Sequence, residues 1–250
     1  MLRLKRFKIE ALLKFREDRY ISLERPIIVD NVTFDSIKSQ KNKIKVSFIV
    51  EAYSEEEAKK SARMLLDSLC AAFLLNTNIP MEVDDINIAE VQEPRVTKTG
   101  KTVIIEVHET MRLKDEISLE LTIKEACLKD IIREAKRIKK LDERLLRFLR
   151  WYSRALLEDD PIDKFAHLWI ALEIWAEYKS YKKGKGGEKV KMKNTLICEC
   201  GFNEVDADEM YITRSKLFHS GVYTEAIERL PRLEQCLTSI LSKIRQEILA

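Results

Sequence analysis

An arginine and a histidine near the end of the chain have the residue types that phosphoryl chemistry without a metal requires. Arg214 and His219 are separated by four residues, and Gly221 follows shortly after them. The planar guanidinium fork of an arginine binds phosphate oxygens. The imidazole of a histidine gives and takes protons near neutral pH. We therefore predict that Arg214 and His219 form a catalytic site for phosphoryl transfer.

The spacing of this pair restricts how it can act. Gly221 predicts that a helix ends at this point, and five positions correspond to about 140° around a straight helix. The two side chains converge only if the arginine reaches back, if the helix end is distorted or if two chains meet. The alternative is that His219 is simply a helix-end residue, where the helix macrodipole favours a cation.

A lysine-rich segment precedes this helix. Residues 179–193 contain seven lysines and the single acid Glu188, together with three glycines, which predicts a flexible loop. Such a loop can contact a phosphate backbone by charge alone, and it is also typical of a solvated, mobile surface loop. The candidate nucleic-acid-binding residues are Lys182, Lys183, Lys185 and, in the helix that follows, Lys216.

Neither the cysteines nor the other histidines form a complete metal or nucleophile motif. Cys198 and Cys200 have the spacing of half a zinc site, but no second cysteine pair or histidine pair supplies the remaining ligands. His167 lies in an apolar segment, where a satisfied core or interface histidine is expected. We expect no metal and no cofactor. Five scattered cysteines favour a reducing cytoplasm over a disulfide framework.

The composition limits the classes of protein to consider. The 250 residues include 45 basic and 42 acidic side chains, a net charge of +3, so total charge gives no argument for nucleic acid. No apolar run approaches the roughly 18 residues of a membrane helix, so no membrane association is expected. A hydrophobic share of 45% with only six glycines and five prolines is typical of a folded, helix-rich protein.

Residues 1–123 are predicted to form an α+β domain of unknown role, with an antiparallel sheet and one long helix. Lys43–Val50 alternates with period two, as a half-buried strand does. Ser54, with Glu57 three residues later, forms a capping box that predicts a helix to about Leu75. Further strands are predicted within 3–15, 20–29, 86–91, 102–109 and 117–123, with a turn at 99–100.

Residues 124–250 are predicted to form an all-α helical bundle. Asp142 caps one helix, and Asp160 followed by Pro161 marks the start of the next. The predicted helices cover 125–141, 142–156, 162–178, 206–220 and 224–250, the last disturbed near Pro231.

Three blocks in this half occur in a recognisable order. They are RWYSRAL at 150–156, DPIDKF at 160–165 and LWIALE at 168–173, and the segment from Arg214 to Gly221 and an amphipathic helix follow about forty residues later. This order resembles the HEPN superfamily, in particular its Apea-like branch. The resemblance covers about residues 140–250, and the N-terminal half resembles no family that we can name.

The resemblance implies a helical bundle that dimerises and that, in many members, cleaves RNA without a metal in toxin–antitoxin or antiviral defence systems. In those members the arginine and histidine of an R-x4-6-H motif, from two subunits, line a shared cleft. They promote attack of an RNA 2′-hydroxyl on the neighbouring phosphate. Carried onto this chain, His219 would be the general acid/base and Arg214 the phosphate and transition-state stabiliser, with Glu173 and Ser215 as supporting polar residues.

Two functions fit the sequence. The first is a homodimeric, metal-independent endoribonuclease of a defence or toxin–antitoxin type. The second is a noncatalytic HEPN protein that binds nucleic acid or a partner protein such as an antitoxin. Ser215 favours the second, because active members usually have Asn, Asp or His directly after the arginine.

The aromatic side chains of the helical half give a separate reason to expect a homodimer. One small bundle does not obviously cover so many large rings, and uncovered apolar area marks interfaces. The rings in question are Trp151, Tyr152, Trp169 and Trp175.

Overall fold

Strands fill the N-terminal part of the chain and helices the C-terminal part in the computed structural model of the protein. The structure describes residues 4–15, 19–22, 27–29, 32–36, 42–91, 119–122, 125–138, 140, 142–179 and 187–249. The strands are β1 (Lys5–Lys14), β2 (Arg19–Ser22), β3 (Ile27–Val29), β4 (Val32–Ser36), β5 (Lys43–Ala52), β6 (Glu82–Glu90) and β7 (Leu119–Thr122). The helices are α1 (Glu55–Thr77), α2 (Glu125–Ile138), α3 (Glu143–Leu157), α4 (Pro161–Tyr178), α5 (Gly187–Cys200), α6 (Glu204–Ser220) and α7 (Thr224–Leu249). The predicted fold class is confirmed: an α+β part with an antiparallel sheet and one long helix precedes a mostly helical part.

The chain divides into two compact units that do not follow the sequence order strictly. One unit comprises Met1–Leu66 and Val83–Ile132, and the other comprises Asp67–Glu82 and Arg133–Ala250. The long helix α1 therefore contributes its first half to the sheet unit and its second half to the helical unit. The division into 1–123 and 124–250 stays a prediction.

The sheet unit is built on the alternation that the sequence shows. The five-stranded sheet has the order β3-β4-β5-β1-β6, and β1 and β5 pair antiparallel from Lys5 opposite Ala52 to Lys14 opposite Lys43. One face is buried, with Phe7, Ile9, Ala11 and Leu13 from β1 and Ile44, Val46 and Phe48 from β5. Strand β4 was not expected from the sequence; it pairs antiparallel with β5. The predicted strand at 102–109, which includes His108, and the turn at 99–100 lie outside the described residues.

Each predicted helix cap is present, because caps depend on neighbouring residues alone. The Glu57 amide donates to Ser54 Oγ at 3.2 Å, and Glu57 Oε2 accepts from the Tyr53 amide at 2.9 Å, which is a capping box displaced by one residue. Asp160 Oδ1 accepts from the amides of Ile162 and Asp163 at 2.8 and 3.1 Å. Gly221 ends α6 in the left-handed region, with φ 66°.

The prediction of a loop through residue 193 is wrong, because helix α5 begins at Gly187. Lysine is a good helix former, and Met192 and Leu196, one turn apart, are fully buried where α5 packs against its neighbouring helices. The signal for this helix is therefore tertiary packing, which the lysine content of the segment hides.

The expectation of no disulfide is also wrong at one pair. Cys200, the last residue of α5, is bonded to Cys236 of α7, with Cα atoms 4.8 Å apart. These cysteines are 36 positions apart, and the packing of α5 on α7 brings them together. Of two further cysteines, Cys70 is buried and Cys198 is exposed.

The aromatic argument for a dimer is wrong, because one chain covers most of the rings itself. Trp169 and Trp175 are fully buried, Tyr152 is buried and Trp151 is half-buried. Phe148 of α3 contacts the Trp175 ring of α4 with centroids 5.4 Å apart. The homodimer remains a prediction that rests on the family resemblance.

A buried serine joins two segments of the helical unit. Ser153 Oγ donates to the Met81 carbonyl at 2.8 Å and accepts from the Met81 amide at 2.9 Å. We expect Ser153→Ala to lower the free energy of unfolding by about 1–3 kcal/mol, because both backbone groups lose their partner away from water. Urea denaturation measures this loss. The control is Ser239→Ala, an exposed serine bonded within α7, and an equal loss in both variants would contradict the prediction.

The N-cap of α3 makes the free energy of unfolding depend on pH in the acid range. The Arg144 side chain and amide, both bonded to the Asp142 carboxylate, lower the pKa of Asp142 from 3.8 to about 2. A lowered carboxyl pKa adds stability above the unfolded value, and this is lost as the pH falls through about 2. Asp142→Asn keeps a capping oxygen but has no charge. We therefore expect the stability difference between wild type and variant to shrink as the pH is lowered from above 3.8 to about 2, measured by thermal unfolding; a constant difference would contradict this.

Candidate functional site

Helix α6 positions the arginine and the histidine that the sequence singles out. Asn203 Oδ1 accepts from the Asp206 amide at 2.8 Å and caps its start. At its end, the Gly221 amide donates to the Leu217 carbonyl at 3.2 Å, and the Val222 amide donates to the Lys216 carbonyl at 3.4 Å. This pattern satisfies the last carbonyls of the helix. The last turn, which carries His219, is therefore held by hydrogen bonds rather than frayed.

Arg214 is fixed from two sides. Its Nη2 donates to Glu173 Oε1 at 2.9 Å, and its guanidinium carbon lies 5.0 Å from the centre of the Phe218 ring. The arginine and glutamate side chains are 25% and 29% exposed. Arg214 Nε is buried and has no hydrogen-bond partner in the described part of the chain. The structure thus brings together Arg214 and Glu173, two of the predicted site residues.

Glu173 is itself held by a buried tryptophan of α4. Trp169 Nε1 donates to Glu173 Oε1 at 2.7 Å, so that one carboxylate oxygen accepts from both the indole and the guanidinium. The indole is fully buried, and the Tyr211 ring of α6 lies 6.3 Å from it. This arrangement places the guanidinium with little freedom and leaves one side of it at the surface.

His219 is exposed on the last turn of α6. Among the described residues its side chain has no hydrogen bond, ion pair or ring contact. It lies five positions after Arg214, and the regular end of α6 turns the two side chains about 140° apart. A single chain therefore offers an anchored guanidinium and a free imidazole in different directions.

The remaining predicted site residues are Ser215, Lys216 and three lysines that precede α5 in the sequence. Ser215 is half-buried, and Lys216 Nζ is bonded to Glu225 Oε1 at 2.6 Å, which lowers the pKa of that carboxyl. Lys182, Lys183 and Lys185 lie outside the described residues. Their role in nucleic-acid binding stays a prediction.

The described lysines of that basic segment are paired with acids. Asp208 Oδ1 lies 2.7 Å from Lys189 Nζ and 3.3 Å from Lys193 Nζ. Lys191 is buried, with its Nζ 2.6 Å from Glu188 Oε1. These ion pairs within one chain reduce the positive charge that the lysine content of the segment indicates.

The half zinc site of the sequence is not available for a metal in this state, because Cys200 is bonded to Cys236. Within the described ranges, no three His, Cys, Asp or Glu side chains are grouped so that they could hold an ion. No helix of the described residues is both long and apolar enough to cross a membrane.

His167 differs from the satisfied histidine that the sequence predicts. Its ring lies 5.3 Å from the Trp151 ring, and its Nδ1 is buried without a hydrogen-bond partner among the described residues. The part of the prediction that concerns a histidine satisfied within one chain is therefore not met at Nδ1, and the alternative of an interface histidine stays a prediction.

Two contact residues of the site were missed from the sequence, although a signal for both was present. Trp169 precedes Glu173 by four positions, and Arg214 precedes Phe218 by four. Side chains at this spacing lie next to each other on a helix. The i,i+4 spacing in the sequence therefore indicates both contacts.

No family model matches this chain, and neither does any curated protein or solved structure.

Proposed function

We propose that the protein is a homodimeric, metal-independent endoribonuclease of a defence or toxin–antitoxin type, as the resemblance to the HEPN superfamily implies. The observation that supports it is the anchoring of Arg214 by Glu173 and Phe218 beside a helix end that carries the exposed His219. A positioned guanidinium with a free imidazole is the minimum set for this chemistry. Its substrate and an antitoxin partner would place the protein in the cytoplasm.

Each residue has a defined role in the proposed reaction. His219 takes the proton of an RNA 2′-hydroxyl, and the imidazolium that forms, or a water molecule, gives a proton to the 5′-oxygen that leaves. Arg214 binds the phosphate oxygens, on which negative charge increases in the transition state. The 2′-oxygen bonds to phosphorus as the bond to the 5′-oxygen breaks. The products are a 2′,3′-cyclic phosphate and a 5′-hydroxyl.

Two chains are required because the arginine and histidine of one helix diverge. In a two-fold dimer formed through the helical unit, the same surface of each chain meets its copy. Arg214 of one protomer can then face the same phosphate as His219 of its partner. Glu173 keeps the guanidinium in one orientation, so that little freedom is lost when the phosphate binds.

The test is cleavage of single-stranded RNA by the purified protein in EDTA. We expect cleavage that leaves cyclic-phosphate ends, while DNA, which has no 2′-hydroxyl, stays intact. Arg214→Ala should reduce the rate roughly 10²- to 10³-fold, because charge stabilisation in the transition state is lost. Cleavage of DNA, or a requirement for magnesium, would refute the proposal.

Arg232 supplies a matched control for this substitution. Its guanidinium also lies over a phenylalanine ring, 4.2 Å from the centre of Phe202, and bonds to a carboxylate, Asp206 Oδ2, at 2.6 Å. Arg232→Ala removes the same kind of clamp away from the proposed site, and we expect it to retain wild-type cleavage. Equal losses in both variants would show a structural effect only.

A noncatalytic protein that binds RNA or a partner protein is the second candidate. It is favoured by the ion pair between Glu173 and Arg214, which neutralises part of the charge that a phosphate would need, and by the serine at 215. This candidate predicts bound but intact RNA in the same experiment, or stable association with an antitoxin-like protein without any cleavage.

A further inference from the structure

Phe218 is the one exposed phenylalanine of this protein. All nine lie in the described part of the chain; eight are at most 6% exposed, whereas Phe218 is 45% exposed. Leaving an aromatic ring in water forgoes the hydrophobic stabilisation that the other eight provide. Its neighbours Val222 and Tyr223 are also exposed, at 44% and 53%. Large exposed apolar side chains that are grouped in this way mark a binding surface.

Hydrogen bonds hold the backbone of the segment that carries these exposed side chains. The left-handed Gly221 and the hydrogen bonds from Gly221 to Leu217 and from Val222 to Lys216 close the corner between α6 and α7. The Ile227 amide then donates to the Tyr223 carbonyl at 3.1 Å as the next helix begins. The backbone that carries the exposed side chains therefore needs little ordering before a ligand binds.

The chemistry around Phe218 indicates which ligand fits. The guanidinium of Arg214 lies over the ring, while Lys216 and His219 occupy the same end of α6. An exposed aromatic ring beside cationic and titratable groups is the arrangement by which proteins bind single-stranded nucleic acid: bases stack on rings and phosphates meet the charges.

We infer that Phe218 stacks on an unpaired base next to the phosphate at Arg214, so that the substrate class is single-stranded RNA. This inference rests on the proposed function, since it places the base beside the proposed cleavage site. The Phe218 ring, already layered with the Arg214 guanidinium, gains a base as a further layer. A base inside a duplex has both faces covered by its neighbours and cannot do this.

The experiment measures binding without cleavage. A labelled 2′-O-methyl RNA of about ten nucleotides, single-stranded or in a duplex, has no free 2′-hydroxyl to attack, and its binding is followed by fluorescence anisotropy. Phe218→Leu keeps an apolar side chain but removes the ring, and Phe218→Tyr keeps the ring. Tyr53→Leu removes another exposed aromatic ring, 51% exposed and on the sheet unit, as the matched control.

We expect Phe218→Leu to weaken single-strand binding about 5- to 150-fold, the effect of losing one base–aromatic stack, and to leave duplex binding unchanged. An equal loss with the duplex would assign the effect to the Arg214 guanidinium, which the ring also contacts, and would overturn the inference. Phe218→Tyr should recover most of the binding that Phe218→Leu loses, Tyr53→Leu should match the wild type, and the wild type should prefer the single strand to the duplex. Unchanged single-strand binding in Phe218→Leu overturns this inference while leaving the proposed function intact. So does a shift of that variant from dimer to monomer in sedimentation, which would assign the ring to a protein contact. Wild-type protein that binds neither RNA overturns both.

Discussion

The His219→Ala protein is expected to lose RNA cleavage while its fold is kept. General acid–base groups contribute roughly 10²- to 10⁴-fold to a rate, and in the proposed reaction His219 is the group that transfers the proton. Because the His219 side chain is exposed and has no hydrogen bond, ion pair or ring contact with described residues, we expect its removal to leave the packing unchanged. The measurement is the single-turnover rate on RNA in EDTA, together with the urea midpoint of the variant.

The control for this variant is Ser220→Ala, a substitution at the adjacent exposed residue of the same helix end. It changes the helix end to a similar extent but removes no titratable group. If His219 were only a helix-end residue, its loss would cost a fraction of a kcal/mol through the helix dipole and leave any cleavage intact. A His219→Ala protein with full activity would therefore end the assignment of this residue.

The parts of the fold that depend on adjacent residues could be predicted from the sequence. Three residues mark the start of a helix and Gly221 marks the end of one, each through hydrogen bonds or backbone angles within a few positions. The three are Ser54, Asp142 and Asp160. Such signals do not depend on the rest of the molecule. The alternation in β5 likewise follows from one buried face.

The parts that depend on long-range packing could not be predicted. Helix α5 begins in a lysine-rich stretch, and it is stabilised where Met192 and Leu196 are buried. The bond between Cys200 and Cys236 and the transfer of residues 67–82 to the helical unit depend on the same kind of contact. No local pattern carries this information, because the residues involved are brought together only in the folded chain.

In the candidate site, some contacts follow from local spacing and others depend on long-range packing. The resemblance to a family indicates Glu173 only as a supporting residue, and nothing in the spacing predicts its ion pair with Arg214, 41 positions later. Trp169 lies four positions before Glu173, and Phe218 lies four positions after Arg214. This spacing indicates both contacts in the sequence. Residue types thus indicated the chemistry, while the anchoring of the guanidinium depends on the packing of α4 near α6.

A mixture of two inactive variants is expected to regain activity. In a dimer whose site takes Arg214 from one chain and His219 from the other, Arg214→Ala and His219→Ala protomers combine into a heterodimer with one complete site and one empty site. After unfolding and refolding together in equal amounts, half of the dimers are heterodimers. The cleavage rate should then rise from the background of each variant to about a quarter of the wild-type rate.

This outcome separates a shared site from a site within one chain. If both residues acted from the same helix, neither protomer of the heterodimer would have a complete set, and the mixture would remain as inactive as its components. The diverging directions of the two side chains on α6 favour the shared site. The matching control mixes His219→Ala with the double variant Arg214→Ala/His219→Ala, where no pairing of chains supplies a histidine; recovery there would show contamination by active protein rather than complementation.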